Sequence, residues 1–365
     1  MFRFAESLGP EKIVHIFQPS LGLKAIVVID NTAAGPAIGG TRMASDVRVE
    51  ECTRLARAMT FKNAAAGLAH GGAKSVIVGD PAMPLAEKEQ IIRAFAQAIR
   101  DLRDYIPGPD MGTDERAMAW IQDEIGRAVG LPRVIGGIPL DEIGATGFGL
   151  AVAAEAAQEH GGPRLAGARV AVQGFGAVGQ HAARFLSEKG AVLVAASDSH
   201  GTIADPKGLD IDALVQLKRA GTSLLAHSVE SKLGAAGIIS VPCDIWIPAA
   251  RPDVLNVENV DRLQAKLVLQ GANIPATAEA ERKLHQRGIL SIPDFIANAG
   301  GVICAAVEYH GGTENAAFET ISEKITANTH AVLKSVRVDG LLPREAANKL
   351  AQQRVHAATS LRRWR

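Results

Sequence analysis

The chain has 365 residues, of which 47 % are hydrophobic and 37 are glycine, and its 39 basic residues balance its 39 acidic residues. A net charge of zero excludes the basic field that attracts nucleic acid, and no apolar run approaches the ~20 residues of a membrane span. The length favours two domains, because one core seldom serves more than about 250–300 residues, and the composition suits a soluble α/β protein.

The three cysteines, Cys52, Cys243 and Cys304, lie far apart and form no CxxC pair. This spacing predicts neither a disulfide framework nor a zinc site, so we expect no bound metal. The first residues, MFRFAESLGPEK, lack the apolar core of a signal peptide, and we therefore expect a protein of the reducing cytoplasm. The final residues, LRRWR, predict a solvated helix end or, alternatively, a contact with an acidic partner.

Strands and helices alternate in the first part of the chain. Strands are predicted over residues 24–30 and 75–80, and helices over residues 49–67 and 88–102. Lys62 is therefore expected near the end of a helix, and Lys74 at the glycine turn that opens a strand. Both lysines stand among Ala and Gly, which predicts either a solvated surface or a narrow cleft in which small side chains leave room for a substrate.

Glycine and proline cluster over residues 130–147, as they do in linkers between domains. After this break the alternation restarts, with strands predicted in RVAVQGFG, VLVAASD, DIWIPAA, KLVLQGAN and GILSIPDF. Such alternation predicts a mostly parallel sheet covered by helices on both faces. Residues from about 313 onward predict long helices.

A glycine-rich turn follows the first of these later strands. In RVAVQGFGAVGQ, Gly174, Gly176 and Gly179 stand in GxGxxG register, and a helix follows that includes Ala177 and Val178. This is the context of the dinucleotide fingerprint, in which a helix amino terminus carries the phosphates. A glycine turn without a ligand is the alternative.

The choice of cofactor depends on Asp198, which ends the next strand. Its carboxylate is expected to accept hydrogen bonds from the ribose hydroxyls and to repel a 2′-phosphate, which favours NAD over NADP. Ser199 and His200 beside it could instead donate to a phosphate, so NADP stays the second candidate.

Seven short motifs occur in order along nearly the whole chain. They are GPAIGGTRM (35–43), MTFKNAAAGLAHGGAK (59–74), GPDMGT (108–113), ATGFG (145–149), QGFGAVG (173–179), GAN (271–273) and PDFIANAGGV (293–302). Together they resemble the glutamate/leucine/phenylalanine/valine dehydrogenase family.

The resemblance implies a two-domain α/β fold with an active-site cleft between the domains. We expect a substrate-binding and oligomerisation domain over residues 1–140 and 331–365, and a Rossmann-type NAD-binding domain over 141–330. The resemblance also implies a homo-oligomer built through the first domain.

Three charged residues take catalytic roles by this resemblance. In the family the first lysine binds the substrate α-carboxylate, the second assists catalysis and an aspartate shuttles protons; these positions are Lys62, Lys74 and Asp110 here. Oxidising an α-amino acid requires a fixed carboxylate, a deprotonated amine and a Cα–H aimed at the nicotinamide. A lysine whose pKa is lowered by desolvation can serve as the general base. The alternatives are exposed charges for the lysines and a turn or helix cap for Asp110.

The resemblance also implies further binding residues. Those expected at the cofactor are Thr146, Ala249, Ala250, Asn273 and Asn298. Thr146 and Asn273 could each instead cap a helix. Gly39 and Gly40 are expected to offer backbone groups to the substrate carboxylate, with tight-turn glycines as the alternative.

Four positions are expected to line the substrate side chain: Ile38, Gly108, Val302 and Ala305. By the resemblance, glutamate dehydrogenases carry a lysine at the position of Ile38 and a serine at the position of Ala305. That lysine and that serine would contact the side-chain carboxylate of glutamate. Burying that carboxylate without partners is costly, so we expect an apolar L-amino acid of leucine, branched-chain or phenylalanine type. Glutamate is the alternative substrate, and ordinary core packing is the alternative interpretation of the four residues.

The sequence therefore predicts an NAD-dependent, reversible oxidative deamination of an apolar L-amino acid to its 2-oxo acid and ammonia. A catalytically silent, dinucleotide-binding regulator is the alternative from another class. The presence of Lys62, Lys74 and Asp110 together argues against it, since binding alone needs no proton shuttle. His70, just before the second lysine motif, is expected to be structural or exposed, with a hydrogen bond near Lys74 as the alternative.

Overall fold

A computed structural model describes residues 3–363 of the chain. These residues divide into two compact units. The first unit contains the chain up to Leu140, Val302–Thr320 and the residues from Leu350 onward, and the second contains Asp141–Gly301 and Ile321–Lys349. The last two residues of LRRWR lie outside the described range. Arg362 of that segment donates to the carbonyl oxygen of Ala33 at 2.8 Å.

The first unit is built on a five-stranded mixed sheet in the order β1-β2-β4-β3-β5. Its strands are β1 (Lys12–Gln18), β2 (Leu23–Asn31), β3 (Ala37–Ala44), β4 (Gly71–Val78) and β5 (Tyr105–Pro109). β2 pairs antiparallel with β1 and β4, whereas β3 pairs parallel with β4 and β5. The carboxyl ends of β3 and β5 therefore point in the same direction.

Helices pack on both faces of this sheet. They are α1 (Val49–Ala65), α2 (Leu85–Ala98) and α3 (Glu115–Ile125). Cys52 of α1 packs against Val28 on one face. Phe95 of α2 and Met118 of α3 are fully buried with Val27 on the other face. Neighbouring strand residues serve different cores because successive side chains of a strand point to opposite faces.

The second unit is built on a seven-stranded sheet in the order β12-β11-β10-β6-β7-β8-β9. Its strands are β6 (Arg169–Gln173), β7 (Val192–Ser197), β8 (Thr202–Ala204), β9 (Ser231–Leu233), β10 (Ile245–Pro248), β11 (Leu267–Leu269) and β12 (Leu290–Ile292). The strands from β12 to β7 are parallel, and β8 and β9 add an antiparallel edge. The carboxyl ends of the five parallel strands thus lie along one edge, where ligands bind in such sheets.

Eight further α-helices of at least four residues follow in chain order between residues 145 and 360. They are α4 (Ala145–Ala157), α5 (Ala177–Glu188), α6 (Ile211–Arg219), α7 (Ala278–Gln286), α8 (Asp294–Ala297), α9 (Gly300–Tyr309), α10 (Glu314–Asp339) and α11 (Pro343–Ser360). The later boundaries between the units fall inside α9, α10 and α11. A continuous helix gives no local signal of such a boundary, since its pattern of apolar residues is unbroken.

The predicted two-domain α/β architecture is confirmed, and the sheet of the second unit is mostly parallel, as the strands after residue 147 predicted. The sheet of the first unit, for which no strand directions were predicted, is mixed, because β2 is antiparallel to β1 and β4. Two details differ from the predictions. Lys74 lies inside β4 and not at a turn before it. Residues 331–349 belong to the second unit and residues 302–320 to the first, which differs from the expected return of 331–365 as one segment.

None of the helices in the described part of the chain is long and apolar enough to cross a membrane. Cys52, Cys243 and Cys304 are buried and form no disulfide. Burial raises the pKa of each of these thiols to about 12. Among residues 3–363, no group of three or more His, Cys, Asp or Glu side chains is arranged to hold a metal ion.

Candidate active site

Lys74 and Asp110 form an ion pair in the first unit. Lys74 Nζ donates to Asp110 Oδ1 at 2.6 Å, and only 5 % of the lysine side chain is exposed. Asp110 directly follows β5, and its backbone amide donates to the hydroxyl of Thr113 at 3.0 Å, which holds the turn. The alternative of an exposed turn charge is therefore wrong for Lys74. The pair places an amine and a carboxyl group at a distance that permits proton transfer.

Arg42 and Glu51 extend this pair into a charged cluster. Arg42 Nε donates to Asp110 Oδ2 at 2.7 Å, and Arg42 Nη1 donates to Glu51 in the first turn of α1. Neither residue was predicted from the sequence. The usable signal was strand alternation, because Arg42 stands two positions after Gly40 and so lies on the same face of β3.

Burial and neighbouring charges shift the pKa values of the pair. Burial is the main cause that lowers the pKa of Lys74, Asp110 opposes it, and Arg42 adds to the lowering. Burial would raise the pKa of Asp110, but the ammonium of Lys74 and the guanidinium of Arg42 together lower it. Lys74 therefore gives up its proton at a lower pH than an exposed lysine does, while Asp110 stays ionised as its hydrogen-bond partner.

Glycines in β3 bring these groups close together. A Cβ atom at Gly40 would lie 2.9 Å from Asp110 Cβ and 3.0 Å from Lys74 Nζ. A Cβ atom at Gly39 would lie 1.7 Å from the carbonyl oxygen of Ala73. Both glycines lie inside a strand, so the alternative that they form a tight turn is wrong. Any side chain at Gly40 would occupy the space in front of the ion pair.

The glycines just before Lys74 allow neighbouring backbone to pack closely on β4. A Cβ atom at Gly72 would lie 2.0 Å from the backbone nitrogen of Thr60, and one at Gly71 would lie 1.7 Å from the carbonyl oxygen of Asn31. The expectation that small residues here leave room for a substrate is therefore wrong for Gly71 and Gly72. Gly72 lets α1 approach β4 closely, and Gly71 does the same for the end of β2; this close packing contributes to the burial of Lys74.

Lys62 is half-buried in the last turn of α1. Its neighbour Asn63 is fully buried, and Asn63 Nδ2 donates to the carbonyl oxygens of Gly71 at 2.7 Å and of Ile38 at 3.3 Å. These bonds fix the end of α1 to β3 and β4. The helix end that carries Lys62 is thus held beside the strands that carry Ile38 and Lys74.

The four predicted pocket residues all belong to the first unit. Ile38 and Ala305 are buried with 3 % and 7 % exposure, Gly108 is buried, and Val302 is half-buried. Gly108 pairs with Gly40 across β5 and β3, and paired residues share a face of the sheet. Ile38 and Gly108 therefore lie on the face that carries Lys74, while Val302 and Ala305 lie on α9.

The end of α9 is tied to the sheet of the first unit. His70 is 2 % exposed, and its Nε2 lies 3.0 Å from His310 Nε2 while its Nδ1 lies 2.9 Å from the carbonyl oxygen of Pro36. Glu308 of α9 accepts from the backbone amide of Ile138 at 2.7 Å. His70 is therefore a structural residue, and the expectation that it could be exposed is wrong.

In the second unit, the three fingerprint glycines occupy different environments. Gly174 follows β6 with φ +90°, and a Cβ atom there would lie 2.7 Å from Ala250 Cα. Gly179 packs against the turn, because a Cβ atom there would lie 2.2 Å from the carbonyl oxygen of Gly174. Gly176, in contrast, has open space around it. The turn leaves room for a phosphate at the amino terminus of α5, where free amides favour an anion.

Further predicted cofactor residues lie around this turn. Ala177 and Val178 begin α5, and Ala249 donates its amide to the carbonyl oxygen of Gln173 at 2.7 Å. A Cβ atom at Gly271 would lie 3.3 Å from Ala249 Cβ and 3.4 Å from Val178 Cγ1. The turns after β6, β10 and β11 are therefore neighbours at the carboxyl edge of the sheet.

Asn273 and Thr146 lie at two further points of this unit. Asn273 is exposed in the turn after β11, and Thr146 is half-buried in the first turn of α4, where it packs against Gly300. Thr146 follows the first helical residue, so it is not the cap of α4. Asn298 Nδ2 lies 3.3 Å from Asn273 Oδ1, which links these two asparagines.

Two buried acceptor atoms at this edge have no partner within residues 3–363. They are Asn298 Oδ1 and Gln173 Oε1. Asn298 is 3 % exposed, and its Nδ2 donates to the carbonyl oxygen of Gly271 at 3.2 Å. A buried acceptor without a donor is costly, and a carboxamide N–H of a nicotinamide could supply that donor. The residues present therefore fit a nicotinamide dinucleotide.

The carboxylate of Asp198 is already engaged by its own loop. Only 6 % of the side chain is exposed, and it accepts from the backbone amides of His200 and Leu224, each at 2.9 Å. Lys218 Nζ lies 3.4 Å away. Burial opposes ionisation, but these amides and Lys218 lower the pKa of Asp198 to about 2. Asp198 thus shapes the segment that follows β7.

The first unit supplies a lysine–carboxylate pair suited to proton transfer, and the second supplies a glycine turn suited to a dinucleotide. Fold and site together define a dinucleotide-dependent dehydrogenase. Residues 10–127 match the sequence profile "Glu/Leu/Phe/Val dehydrogenase, dimerisation domain", and residues 136–363 match "Glutamate/Leucine/Phenylalanine/Valine dehydrogenase". The chain belongs to the glutamate/leucine/phenylalanine/valine dehydrogenase family, which confirms the resemblance seen in its motifs, and it is an amino acid dehydrogenase.

Two sequence relatives cover much of the chain. A glutamate dehydrogenase of Aeropyrum pernix is 38 % identical over 92 % of this chain and 85 % of its own length. An NADP-specific glutamate dehydrogenase of Saccharolobus shibatae is 37 % identical over 76 % of this chain and 69 % of its own length.

Two solved structures are similar over nearly the whole chain. A hetero-hexameric glutamate dehydrogenase from Thermus thermophilus, in a leucine-bound form, has a TM-score of 0.86 and 29 % identity, covering 96 % of this chain and 90 % of that one. An L-tryptophan dehydrogenase from Nostoc punctiforme has a TM-score of 0.76 and 28 % identity, covering 96 % of this chain and 97 % of that one.

Proposed function

We propose that the chain catalyses the reversible oxidative deamination of an L-amino acid to the 2-oxo acid and ammonia. The observation that carries the proposal is the pair of Lys74 and Asp110, 2.6 Å apart, with the pKa of the lysine lowered by burial. A catalytically silent regulator would have no use for such a pair, because binding alone needs no proton relay.

Each charged residue has one task in this proposal. Lys62 holds the substrate α-carboxylate, and a fixed carboxylate orients Cα–H for transfer. A dinucleotide held at the turn of Gly174 and Gly176 would supply the hydride acceptor for this Cα–H. Neutral Lys74 accepts a proton from the water that attacks the substrate iminium carbon, and Asp110 passes protons to and from the departing amine. Arg42 holds the second oxygen of Asp110 and so keeps the first one directed at Lys74.

Glutamate is the first candidate substrate. Both sequence relatives are named glutamate dehydrogenases, and the one from Aeropyrum pernix is 38 % identical over 92 % of this chain. This similarity favours glutamate over the apolar amino acid expected from the motifs. Ile38 and Ala305 offer no charge or hydroxyl to a glutamate side chain, so its carboxylate would need a partner elsewhere in the chain.

An apolar L-amino acid is the second candidate, carried by a separate observation. The four pocket positions are apolar, and Ile38 and Ala305 are buried. One of the similar structures is named an L-tryptophan dehydrogenase. An apolar pocket distinguishes two substrates that differ by one methylene group by only ~1–3 kcal/mol, so we propose the apolar class and not a single amino acid.

A substrate panel tests both candidates. Appearance of reduced nicotinamide would be followed by absorbance with glutamate, leucine, valine, phenylalanine and tryptophan, each with NAD and with NADP. Turnover of glutamate alone would support the first candidate, and turnover of apolar amino acids alone would support the second. Binding of dinucleotide without turnover of any of them would contradict the proposed activity.

Substitution of Ile38 by lysine sharpens the choice. If the substrate is apolar, Ile38→Lys should lower kcat/KM for leucine and raise it for glutamate by about tenfold or more, because the new ammonium meets the glutamate carboxylate. Val134→Lys is the matched control, since it adds the same charge at a side chain that is 90 % exposed. A loss of activity with both substrates would place Ile38 in core packing.

NAD remains the proposed cofactor, with NADP as the alternative. The relative from Saccharolobus shibatae is named NADP-specific, and the carboxylate of Asp198 is occupied by its own loop, so the panel includes both dinucleotides. We also propose a homo-oligomer, because residues 10–127 match the profile of a dimerisation domain. A cytoplasmic location stays a prediction from the sequence.

A further inference from the structure

A second charged cluster lies in the second unit, around Arg344 near the start of α11. Arg344 Nε donates to Glu281 Oε2 at 2.8 Å, and Arg344 Nη1 donates to Asp294 Oδ1 at 2.8 Å. Arg344 Nη2 donates to Gln270 Oε1 at 2.8 Å. Each of the three nitrogens of the guanidinium group therefore has an acceptor, and the fork geometry of arginine makes this possible.

The partners of Arg344 are themselves buried and interconnected. Gln270 is 0 %, Asp294 5 % and Glu281 8 % exposed. Gln270 Nε2 donates to Glu281 Oε1 at 2.8 Å and lies 3.3 Å from the hydroxyl of Ser291. Arg344 thus joins residues from the end of β11, from α7 and from the start of α8.

The cluster holds both sides of the turn over residues 271–273. Gln270 immediately precedes this turn, and Ile274 immediately follows it. Asp294 Oδ2 accepts from the backbone amide of Ile274 at 2.8 Å, while its Oδ1 accepts from Arg344. The guanidinium group of Arg344 therefore binds Gln270, before the turn, directly. It holds Ile274, after the turn, through the carboxylate of Asp294.

The turn has a conformation that needs such support. Ile274 has φ +48°, a left-handed conformation that a β-branched residue seldom adopts. Its side chain is 55 % exposed, so burial of that side chain does not supply the compensation. The strained backbone immediately follows Asn273, whose side chain is linked to Asn298 and its unpartnered Oδ1.

We infer that Arg344 is a positioning residue for the nicotinamide end of the bound dinucleotide. Its three nitrogens are all engaged by protein acceptors. It sets the conformation of the turn over 271–273 and thereby the place of Asn273, which is expected at the cofactor, and of Asn298, whose unpartnered oxygen fits a nicotinamide carboxamide. The inference rests on the proposed function. The adenosine end depends on the separate turn that contains Gly174 and Gly176, so the two ends should respond differently.

The test compares two ligands that share the adenosine end. Binding of NADH and of ADP-ribose would be titrated on the full chain carrying Arg344→Met, with NADPH and 2′-phospho-ADP-ribose run alongside. We expect the Kd of the reduced dinucleotide to rise about 10-fold to 100-fold, since small displacements of positioning groups have effects of this size. The Kd of the ADP-ribose ligand should stay within about twofold, because the glycine turn is held by the amides of Gly174 and Phe175, which donate to the carbonyl oxygen of Ser197 and not to any partner of Arg344.

Two further variants make the test decisive. Arg344→Lys keeps the charge but lacks the planar guanidinium group, so it should show an intermediate loss of NADH affinity. It replaces Arg344→Met in the test if that variant does not fold. Arg282→Met is the matched control, because Arg282 lies in α7 with its side chain 51 % exposed. An equal loss of affinity for both ligands, or no loss for either, would overturn the inference. A wild-type chain that binds NADH but oxidises no amino acid would contradict the proposed function alone.

Discussion

The charged cluster in the first unit and the one in the second unit are both partly buried, but they differ in how their charges can respond. In the first, Lys74 meets Asp110, and Arg42 joins Asp110 to Glu51. Burial lowers the pKa of the lysine, so its proton can leave at a pH below the ordinary value for lysine.

In the second cluster the cation is an arginine. Contacts with Glu281 and Asp294 raise the pKa of Arg344 against the effect of burial, so this group stays charged. Its donors are matched to acceptors on three elements. The comparison teaches that a buried lysine–carboxylate pair can exchange protons, whereas a buried arginine cluster fixes the positions of the elements around it.

Lys74→Ala, in the first cluster, should have the largest effect on kcat. Removing the general base should lower kcat by about 100-fold to 10,000-fold while the Kd of the dinucleotide stays nearly constant. Steady-state kinetics and a binding titration would measure the two quantities. Lys24→Ala, at an exposed lysine on the neighbouring strand β2, is the matched control. Unchanged turnover would remove Lys74 from the mechanism.

Asp110→Asn tests the charge of the pair with little change in shape. We expect kcat to fall by about a hundredfold, because the proton relay is lost. Asp110 raises the pKa of Lys74, so its removal should also shift the limb of the pH–rate profile that reports Lys74 to lower pH. A pH profile of kcat/KM for both proteins checks this. A shift to higher pH would mean that the observed limb belongs to another group.

The same substitution has an expected consequence for stability at low pH. The pKa of Asp110 is lowered in the folded chain, so its ionised form contributes stability above the ordinary carboxyl value. That contribution is lost as the pH falls through the lowered pKa. Urea unfolding at a series of acidic pH values should therefore show a weaker pH dependence in Asp110→Asn than in the wild-type chain.

Glu281→Gln should have the smallest effect on chemistry and a measurable one on stability. It removes one negative charge from the second cluster, and we expect the free energy of unfolding to fall by about 1–3 kcal/mol. At saturating dinucleotide, the loss in kcat should stay below that of Asp110→Asn. Glu279→Gln, exposed in the same helix, is the control. A larger loss in kcat than that of Asp110→Asn would contradict the distinction between the clusters.

The parts of the site that could be predicted are those with a local pattern. The GxGxxG register between a strand and a helix marked Gly174, Gly176 and Gly179, because each glycine answers a local steric need. Lys62, Lys74 and Asp110 stood in motifs that the family shares. The missed strands were β1, β3, β5, β8 and β9, all of them short or in the mixed part of a sheet. The missed side chains were Arg42 and Arg344, whose partners Asp110 and Glu281 are distant along the chain, and Glu51, which joins its cluster through Arg42.

The sequence by itself determined the α/β class, the five parallel strands of the second unit, the glycine turn and the family. These follow from hydrophobic periodicity and from glycine positions, which depend on neighbours a few residues away. The tertiary structure alone decided which charges meet, where the boundaries cross α9 to α11, and that Gly71 and Gly72 pack against backbone. Those outcomes depend on contacts between residues far apart in the chain, which no local pattern encodes.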